Sequence, residues 1–402
     1  MQLDFTKTLL PQTGLSRQVY VEQPDQQHSV LWTVVSDIGQ SVLRSDSQVG
    51  DFDLTLVGAA DLKLNSALIR GAGEAVERYA LMPGPQGPQP QLHLVDIDGG
   101  LLWNPCLHGM ETWCYQAAPI LSPEAPTVSI PAGAVDYPFH SLRDDDGMCD
   151  PGPSGASSGA GLTDAIERAC KELLERDAAM RAWDEKDDTR VRFFSVNDSS
   201  LRDHRLATLL QACERLKLEV ITAVLPITGT TETSASMTMI VDTEGRLAAA
   251  GLGLERSYMD GAVRSLQEAL QVRAFLLNIV SQKPPQTPPP PLPLADDRQR
   301  SLWWASHEGI AAAQRWQDWV RSCPTTGGLN TSFAGTWSSC VGAAYTVNLS
   351  ARLPAAIQDL GWNAVKVIAP ELVPLRMSEA VTWNRHSTFD SWDGLPMPQP
   401  FI

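Results

Sequence analysis

Apolar residues recur along this chain at two periods, and together they predict a mixture of helices and strands. Leu68, Ala72, Ala75 and Tyr79 fall on one stripe between Leu64 and Leu81, as on an amphipathic helix. Met82-Pro83-Gly84-Pro85 ends that helix, because proline cannot continue it. Further helices are predicted from Thr163, as N-cap, to Trp183, and over Leu201–Leu216, Met259–Ser281 and Ser301–Arg321. Trp303, Trp304, Trp316 and Trp319 are the packing residues expected on the last of these. β-branched and aromatic runs predict strands at Ser29–Val35, Asp53–Gly58, Leu92–Ile97, Arg192–Val196, Leu218–Val224, Met237–Val241, Leu247–Leu252 and Val365–Ile368. Residues 101–142 read as short strands with long loops. Gly152–Gly161 is a Gly/Ser loop, and Pro284–Pro293 a stiff polyproline surface loop.

Length and composition narrow the class. The chain has 402 residues, enough for two or three domains or one large mixed domain. Its formal net charge of −16 argues against a nucleic-acid partner, which needs clustered Lys and Arg. Seven cysteines, with no C-x-x-C pair and no Cys/His group at zinc spacing, suit a reducing compartment and exclude a familiar zinc module. No basic segment followed by an apolar core opens the chain, and no apolar run approaches a bilayer span. The expectation is a soluble, cytoplasmic protein with no membrane contact.

The chemistry concentrates on three of the helices. Glu74, Glu77 and Arg78 form an E-x-x-E-R pattern, Glu172, Glu175 and Arg176 repeat it, and Glu268, Gln271 and Arg273 give a related third version. Residues three or four apart share a helix face, so each pair projects together. Five carboxylates (Glu74, Glu77, Glu172, Glu175 and Glu268) are hard oxygen donors of the kind Mg²⁺ takes alongside substrate phosphates. Arg78, Arg176 and Arg273, with Gln271, would meet the phosphate oxygens. The plain alternative is a set of surface ion pairs, since Glu74–Arg78 and Glu172–Arg176 stand at i, i+4. Gly152–Gly161 offers backbone N–H groups for phosphate at a helix N-terminus, or is a linker; it matches no P-loop pattern. No nucleophile motif is present: Cys170 lies on a stripe with Ile166, Leu173 and Leu174, and the histidines, His140 and His307 among them, form no ligand pair. Metals and phosphates without a protein nucleophile fit phosphoryl transfer.

Taken together, Gly71–Tyr79, Gly159–Ala178 and Glu268–Arg273, followed by VKVIAPELVP at Val365–Pro374, resemble the YcaO family in order and separation. The resemblance covers roughly residues 55–400. It implies a YcaO-type ATP-binding α+β fold, with mixed or antiparallel sheets and helices that converge on a Mg²⁺–nucleotide site. The expected organisation is N-terminal strands over residues 1–60 packing on a YcaO domain at 61–395, with a proline-rich tail at 396–402. Azoline-forming members of the family typically end in P-x-P-x-P, as Pro396, Pro398 and Pro400 do here, and their terminal carboxylate, here that of Ile402, is implied to serve proton transfer. Phe401 and Ile402 follow the last proline, and Arg70-Gly71-Ala72-Gly73 precede Glu74 where the family often has serine; both depart from the pattern. The implied reaction is ATP-dependent cyclodehydration of Cys, Ser or Thr in a ribosomal precursor peptide. The side chain attacks the preceding amide, the amide-derived oxygen is phosphorylated, and loss of phosphate leaves a thiazoline or oxazoline. An E1-like leader-binding scaffold and a flavin-dependent azoline dehydrogenase are the implied partners, as in microcin-B17-like synthetases. Thioamide or amidine formation, or a non-catalytic nucleotide-binding subunit, are the alternatives.

Overall fold

The computed structural model describes residues 3–25, 29–39, 55–139, 147–186, 190–196, 202–282, 288–326, 332–381, 383–384 and 398–401. Along the chain the strands are β1 (Gln18–Glu22), β2 (Trp32–Asp37), β3 (Leu56–Asp61), β4 (Gln91–Leu94), β5 (Glu111–Pro119), β6 (Val128–Pro131), β7 (Ala156–Gly159), β8 (Arg192–Phe193), β9 (Leu218–Pro226), β10 (Ser234–Asp242), β11 (Ala248–Leu254), β12 (Tyr345–Asn348) and β13 (Asn363–Ile368). The helices are α1 (Phe5–Thr8), α2 (Leu64–Leu81), α3 (Leu162–Glu185), α4 (His204–Arg215), α5 (Tyr258–Gln282), α6 (Asp297–Trp304), α7 (His307–Ser322) and α8 (Ala355–Asp359). They fall into two compact units whose boundary lies inside α3, between Leu173 and Leu174. Among the described residues no helix is long and apolar enough to cross a membrane.

The first unit comprises Met1–Gln23, Trp32–Leu173 and Thr336–Pro374. A three-stranded sheet runs β1-β2-β3, and a six-stranded sheet runs β4-β5-β12-β13-β7 with β6 paired to β5; every named pairing is antiparallel. Small residues on α2 let it lie close to β2: a side chain at Gly71 would meet Val34 Cγ1 at 2.9 Å. Ala72, Ala75, Val76 and Leu81 of this helix enter a core with Trp103, Ile130, Val347 and Ile368. The end of α2 is buried, so its last carbonyls need partners. Arg352 supplies them, donating to the oxygens of Ala80 at 3.0 Å and Leu81 at 3.3 Å, while Asp136 at 2.8 Å balances its charge.

The second unit comprises Pro24–Leu31, Leu174–Gly335 and Leu375–Ile402. Its sheet is an antiparallel run β11-β10-β9-β8. Helix α5 packs on β10 and β11. Gly251 and Gly253 alternate along β11, so both meet the helix. A Cβ at Gly251 would lie 2.3 Å from Ala269 N and Ser265 O, and one at Gly253 would lie 2.3 Å from Gly261 O. The clash is with backbone, so Gly251→Ala is expected to lower stability by about 1–3 kcal/mol or more. A thermal melt of that variant indistinguishable from the parent would show that helix and sheet are not in contact there.

Four expectations need correction. The Gly/Ser stretch is no linker: Ala156–Gly159 is buried strand, paired with β13 from Asn363↔Gly159 to Lys366↔Ala156. Helix α3 starts at Leu162, so Thr163 lies inside it, and Asp164 instead reaches back to accept the Ala160 N–H at 3.0 Å. The single helix over Ser301–Arg321 is two, because Ser306 caps α7 by accepting the Gly309 N–H at 3.3 Å. The strand expected over Arg192–Val196 stops at Phe193, and β12, at Tyr345–Asn348, is a strand that the apolar pattern does not show. His140, Asp53 and Pro284 lie outside the described residues.

Candidate functional site

In the first unit the acidic residues sit on α2 and the first half of α3. Glu74 accepts from Arg78 Nε at 2.8 Å, and Glu77 lies 3.9 Å from the same nitrogen. These side chains are only partly buried, at 31% exposure for Glu74, 14% for Glu77 and 26% for Arg78. Burial opposes the Arg78 charge, but the two carboxylates overcome it, and its pKa rises above the usual guanidinium value. Ser158 of β7 donates to the carbonyl of Gly73 at 2.8 Å. The strand that feeds α3 is thus tied to α2 one residue before Glu74, which fixes the first acidic pair relative to the second helix.

Helix α3 uses its carboxylates in two ways. Glu167 accepts from the backbone N–H of Trp337 at 2.7 Å and of Ser338 at 3.3 Å, and from the Ser338 hydroxyl. It therefore caps the turn at Trp337–Ser339 rather than facing a ligand. Glu172 stays half-buried. Cys170, between them in sequence, is fully buried, and burial pushes its thiol up to about 12, with Glu167 adding to the shift. A thiol so raised is no nucleophile at neutral pH.

In the second unit, Glu175 accepts from the Leu254 N–H at 2.5 Å, at the end of β11. One carboxylate oxygen is thereby fixed by backbone. Arg176, Glu268 and Gln271 are partly buried. Asp177 is fully buried, accepting from Thr228 Oγ1 at 2.9 Å with Arg181 at 3.5 Å. Arg273 departs from its expected place: it is 1% exposed, and its guanidinium lies 4.0 Å from Asp242. Burial pulls its pKa below the usual value against the attraction of Asp242. Its spacing already held the reason. Five positions after Glu268, it points about 140° round the helix from that residue.

The tail is built in. Pro398, Gln399, Pro400 and Phe401 are all buried, whereas Pro396 and Ile402 lie outside the described residues. Gln399 donates through Nε2 to the carbonyls of Arg376 at 2.9 Å and Phe401 at 3.1 Å, and accepts the Phe401 N–H at 2.8 Å. Its own N–H goes to Glu379 at 2.9 Å, and its carbonyl accepts from Trp304 Nε1 at 3.1 Å. Arg376 in turn forms a bidentate pair with Asp184 near the end of α3, at 2.8 and 2.9 Å. None of Asp184, Arg376 or Gln399 was singled out from sequence. Asp177 and Asp184, seven apart on one face of α3, were a readable signal; Arg376, 192 positions from its partner, was not.

Comparison with known proteins identifies the family. A family model described as YcaO cyclodehydratase, ATP- and Mg²⁺-binding, matches residues 103–373. Among curated proteins none matches. Solved structures share the fold at low identity. YcaO from Methanopyrus kandleri, bound with AMPPCP and Mg²⁺, is 15% identical over 92% of this chain and 91% of its own, with a TM-score of 0.62. A heterocyclase in complex with substrate and cofactor gives 0.70 at 15% identity, over 98% of this chain and 56% of that one. The E. coli microcin synthetase McbBCD complex with pro-MccB17 bound gives 0.63 at 15% identity, over 96% of each chain. With more than half of its length matched by the family's model, the chain belongs to the YcaO family of ATP- and Mg²⁺-binding cyclodehydratases.

Proposed function

We propose that this chain is an ATP-dependent heterocyclase that converts Cys, Ser or Thr of a ribosomal precursor peptide to thiazoline or oxazoline. The family match over residues 103–373 carries the reading. It is supported by likeness to a heterocyclase with substrate and to a microcin synthetase complex holding its precursor.

The residues fit Mg²⁺ and ATP. Among the described residues no three His, Cys, Asp or Glu side chains form a ready metal cage. Mg²⁺ does not require one, since it usually takes one or two carboxylates and completes its shell with phosphate and water. In this proposal Glu74, Glu77, Glu172, Glu175 and Glu268 are the carboxylates that hold more than one Mg²⁺ against the phosphates. Arg78, Arg176 and Gln271 orient phosphate oxygens, while Arg273 serves the ion pair with Asp242. ATP, when bound, supplies a phosphate leaving group in place of water. In this proposal the proline tail, held by the clamp on Gln399, serves proton transfer at the cyclising amide. An E1-like leader-binding subunit and a flavin-dependent azoline dehydrogenase would complete a cytoplasmic synthetase.

The test mixes the chain with ATP, Mg²⁺, precursor peptide and the partner subunits. The expected products are free phosphate and a peptide lighter by one water per ring. A peptide that exchanges oxygen for sulfur, or that closes through a backbone amine, would move the assignment to thioamide or amidine formation. An unchanged peptide with no phosphate release would remove the enzymatic reading.

A further inference from the structure

Strands β9 and β10 are joined by Ile227–Thr233, a loop with four threonines, one carboxylate and no cation. Both of its ends are tied down beside Glu175. Thr233 is 2% exposed and donates to the Glu255 carbonyl at 2.9 Å. Glu255 follows Leu254, whose N–H holds the Glu175 carboxylate. At the other end Thr228 donates to Asp177 at 2.9 Å. Asp177 lies two positions after Glu175, about 3 Å further along the helix axis. The ladder places the loop at the same spot: Ser234 pairs with Pro226 and Ala235 with Leu254, so the loop leaves the sheet where β11 ends.

Between the two ties the chain turns at Gly229, whose φ of +79° favours glycine. The Glu232 N–H donates to Thr230 Oγ1 at 3.0 Å, which folds the tip on itself. Each tip residue lies within two positions of a tie, about 7 Å of extended chain. Gly229, Thr231 and Glu232 are exposed. Without a cation the loop does not attract phosphate, so its ligand differs from that of the motif arginines. Threonine hydroxyls both donate and accept, which matches the C=O and N–H groups of an extended peptide. The one exposed carboxylate favours basic over acidic side chains beside it.

We infer that the Ile227–Thr233 loop binds the precursor peptide beside its ring-forming residue, and that Glu232 selects against acidic residues there. The inference rests on the heterocyclase reading, in which Glu175 helps hold the metal that the phosphates bind. The reacting amide must meet that phosphate, so the peptide on either side of it passes within a few residues of Glu175. The inference goes beyond that reading by naming a peptide-side loop and the charge it prefers.

The test uses the chain with its partner subunits, ATP and Mg²⁺, and two precursor peptides that differ only in carrying Lys or Asp next to the ring-forming residue. Dehydration is followed by mass, and binding of the same labelled peptides by fluorescence anisotropy. The parent is expected to prefer the Lys peptide by about 2- to 5-fold in kcat/KM and in Kd, as for an exposed charge pair. High salt should shrink the preference. Glu232→Gln should abolish it and Glu232→Lys reverse it, with the change carried by the KM for peptide rather than for ATP and with the ligand-free melting temperature of the parent. Dehydration that proceeds without a charge preference, or with one that Glu232→Lys leaves unchanged, would overturn the inference and keep the heterocyclase reading. A binding preference that follows Glu232 without any dehydration would uphold the peptide-side loop and refute heterocyclisation. Peptides that neither bind nor react would refute both.

Discussion

Replacing Glu175 by glutamine is expected to cut ATP-dependent phosphate release by about 100-fold or more while leaving the fold intact. The reason is the Leu254 N–H that its carboxylate accepts. A glutamine oxygen can accept the same bond, so the side chain stays where β11 holds it. What disappears is the negative charge, and with it the hold on Mg²⁺ that the proposed function gives this residue. Alanine separates the two roles, since it also leaves the Leu254 N–H without its acceptor, a cost of about 1–3 kcal/mol. Phosphate-release rates and thermal melts of both variants check the outcome. Glu175→Gln with parental turnover would show that the carboxylate does not hold the metal.

Glu167, on the same helix, makes the contrast. Its two oxygens are taken up by the Trp337 and Ser338 backbone and the Ser338 hydroxyl. Two glutamates of similar sequence surroundings therefore have different functions, one closing a turn and one oriented by a strand end. Nothing local distinguishes them; the distinction comes from which backbone amide each one meets.

That contrast also marks how far the sequence could be read. Helix α2 was legible to the residue, because its apolar stripe and the following Pro83 act within a few positions. The meander β9-β10-β11 and helix α5 were legible for the same reason, as long runs with one period. Strand β7 was not: Ala156-Ser157-Ser158-Gly159 has no β-branched residue, and it is strand only because β13 pairs with it. The acidic pairs were legible as a repeated motif, and the family followed from them. The burial of Arg273 beside Asp242 follows from its spacing, five positions after Glu268 and so on another side of the helix. The tail's prolines were visible, but its anchor was not, since Gln399 is polar and would ordinarily be read as exposed. Its burial depends on Trp304, Glu379 and the Arg376 carbonyl, all distant in sequence.

That anchor sets the second large effect. Arg376→Met is expected to destabilise the protein by about 3–5 kcal/mol and to free the tail. Arg376 and Asp184 are both almost wholly buried, at 1% and 3% exposure. Removing the cation leaves the Asp184 carboxylate enclosed without its bidentate partner. The Arg376 backbone is also a hub, because its carbonyl accepts from Arg300 at 2.8 Å and from Gln399 at 2.9 Å. Loss of the side chain that pins this backbone should therefore reach the tail. Pro398 and Pro400 have no N–H, so the amides of Gln399 and Phe401 report the tail's state, and both are hydrogen-bonded. Hydrogen exchange at these two amides should rise toward open-chain rates in Arg376→Met, and turnover should fall with it. Arg376→Met combined with Asp184→Leu removes the stranded charge and should recover much of the stability. If the tail itself matters to catalysis through its placement, Gln399→Leu should lose turnover with a smaller stability cost of about 1–3 kcal/mol, because it breaks the tail's own bonds and spares the ion pair. Tail amides that stay protected in both Arg376→Met and Gln399→Leu would show that the clamp does not hold the tail.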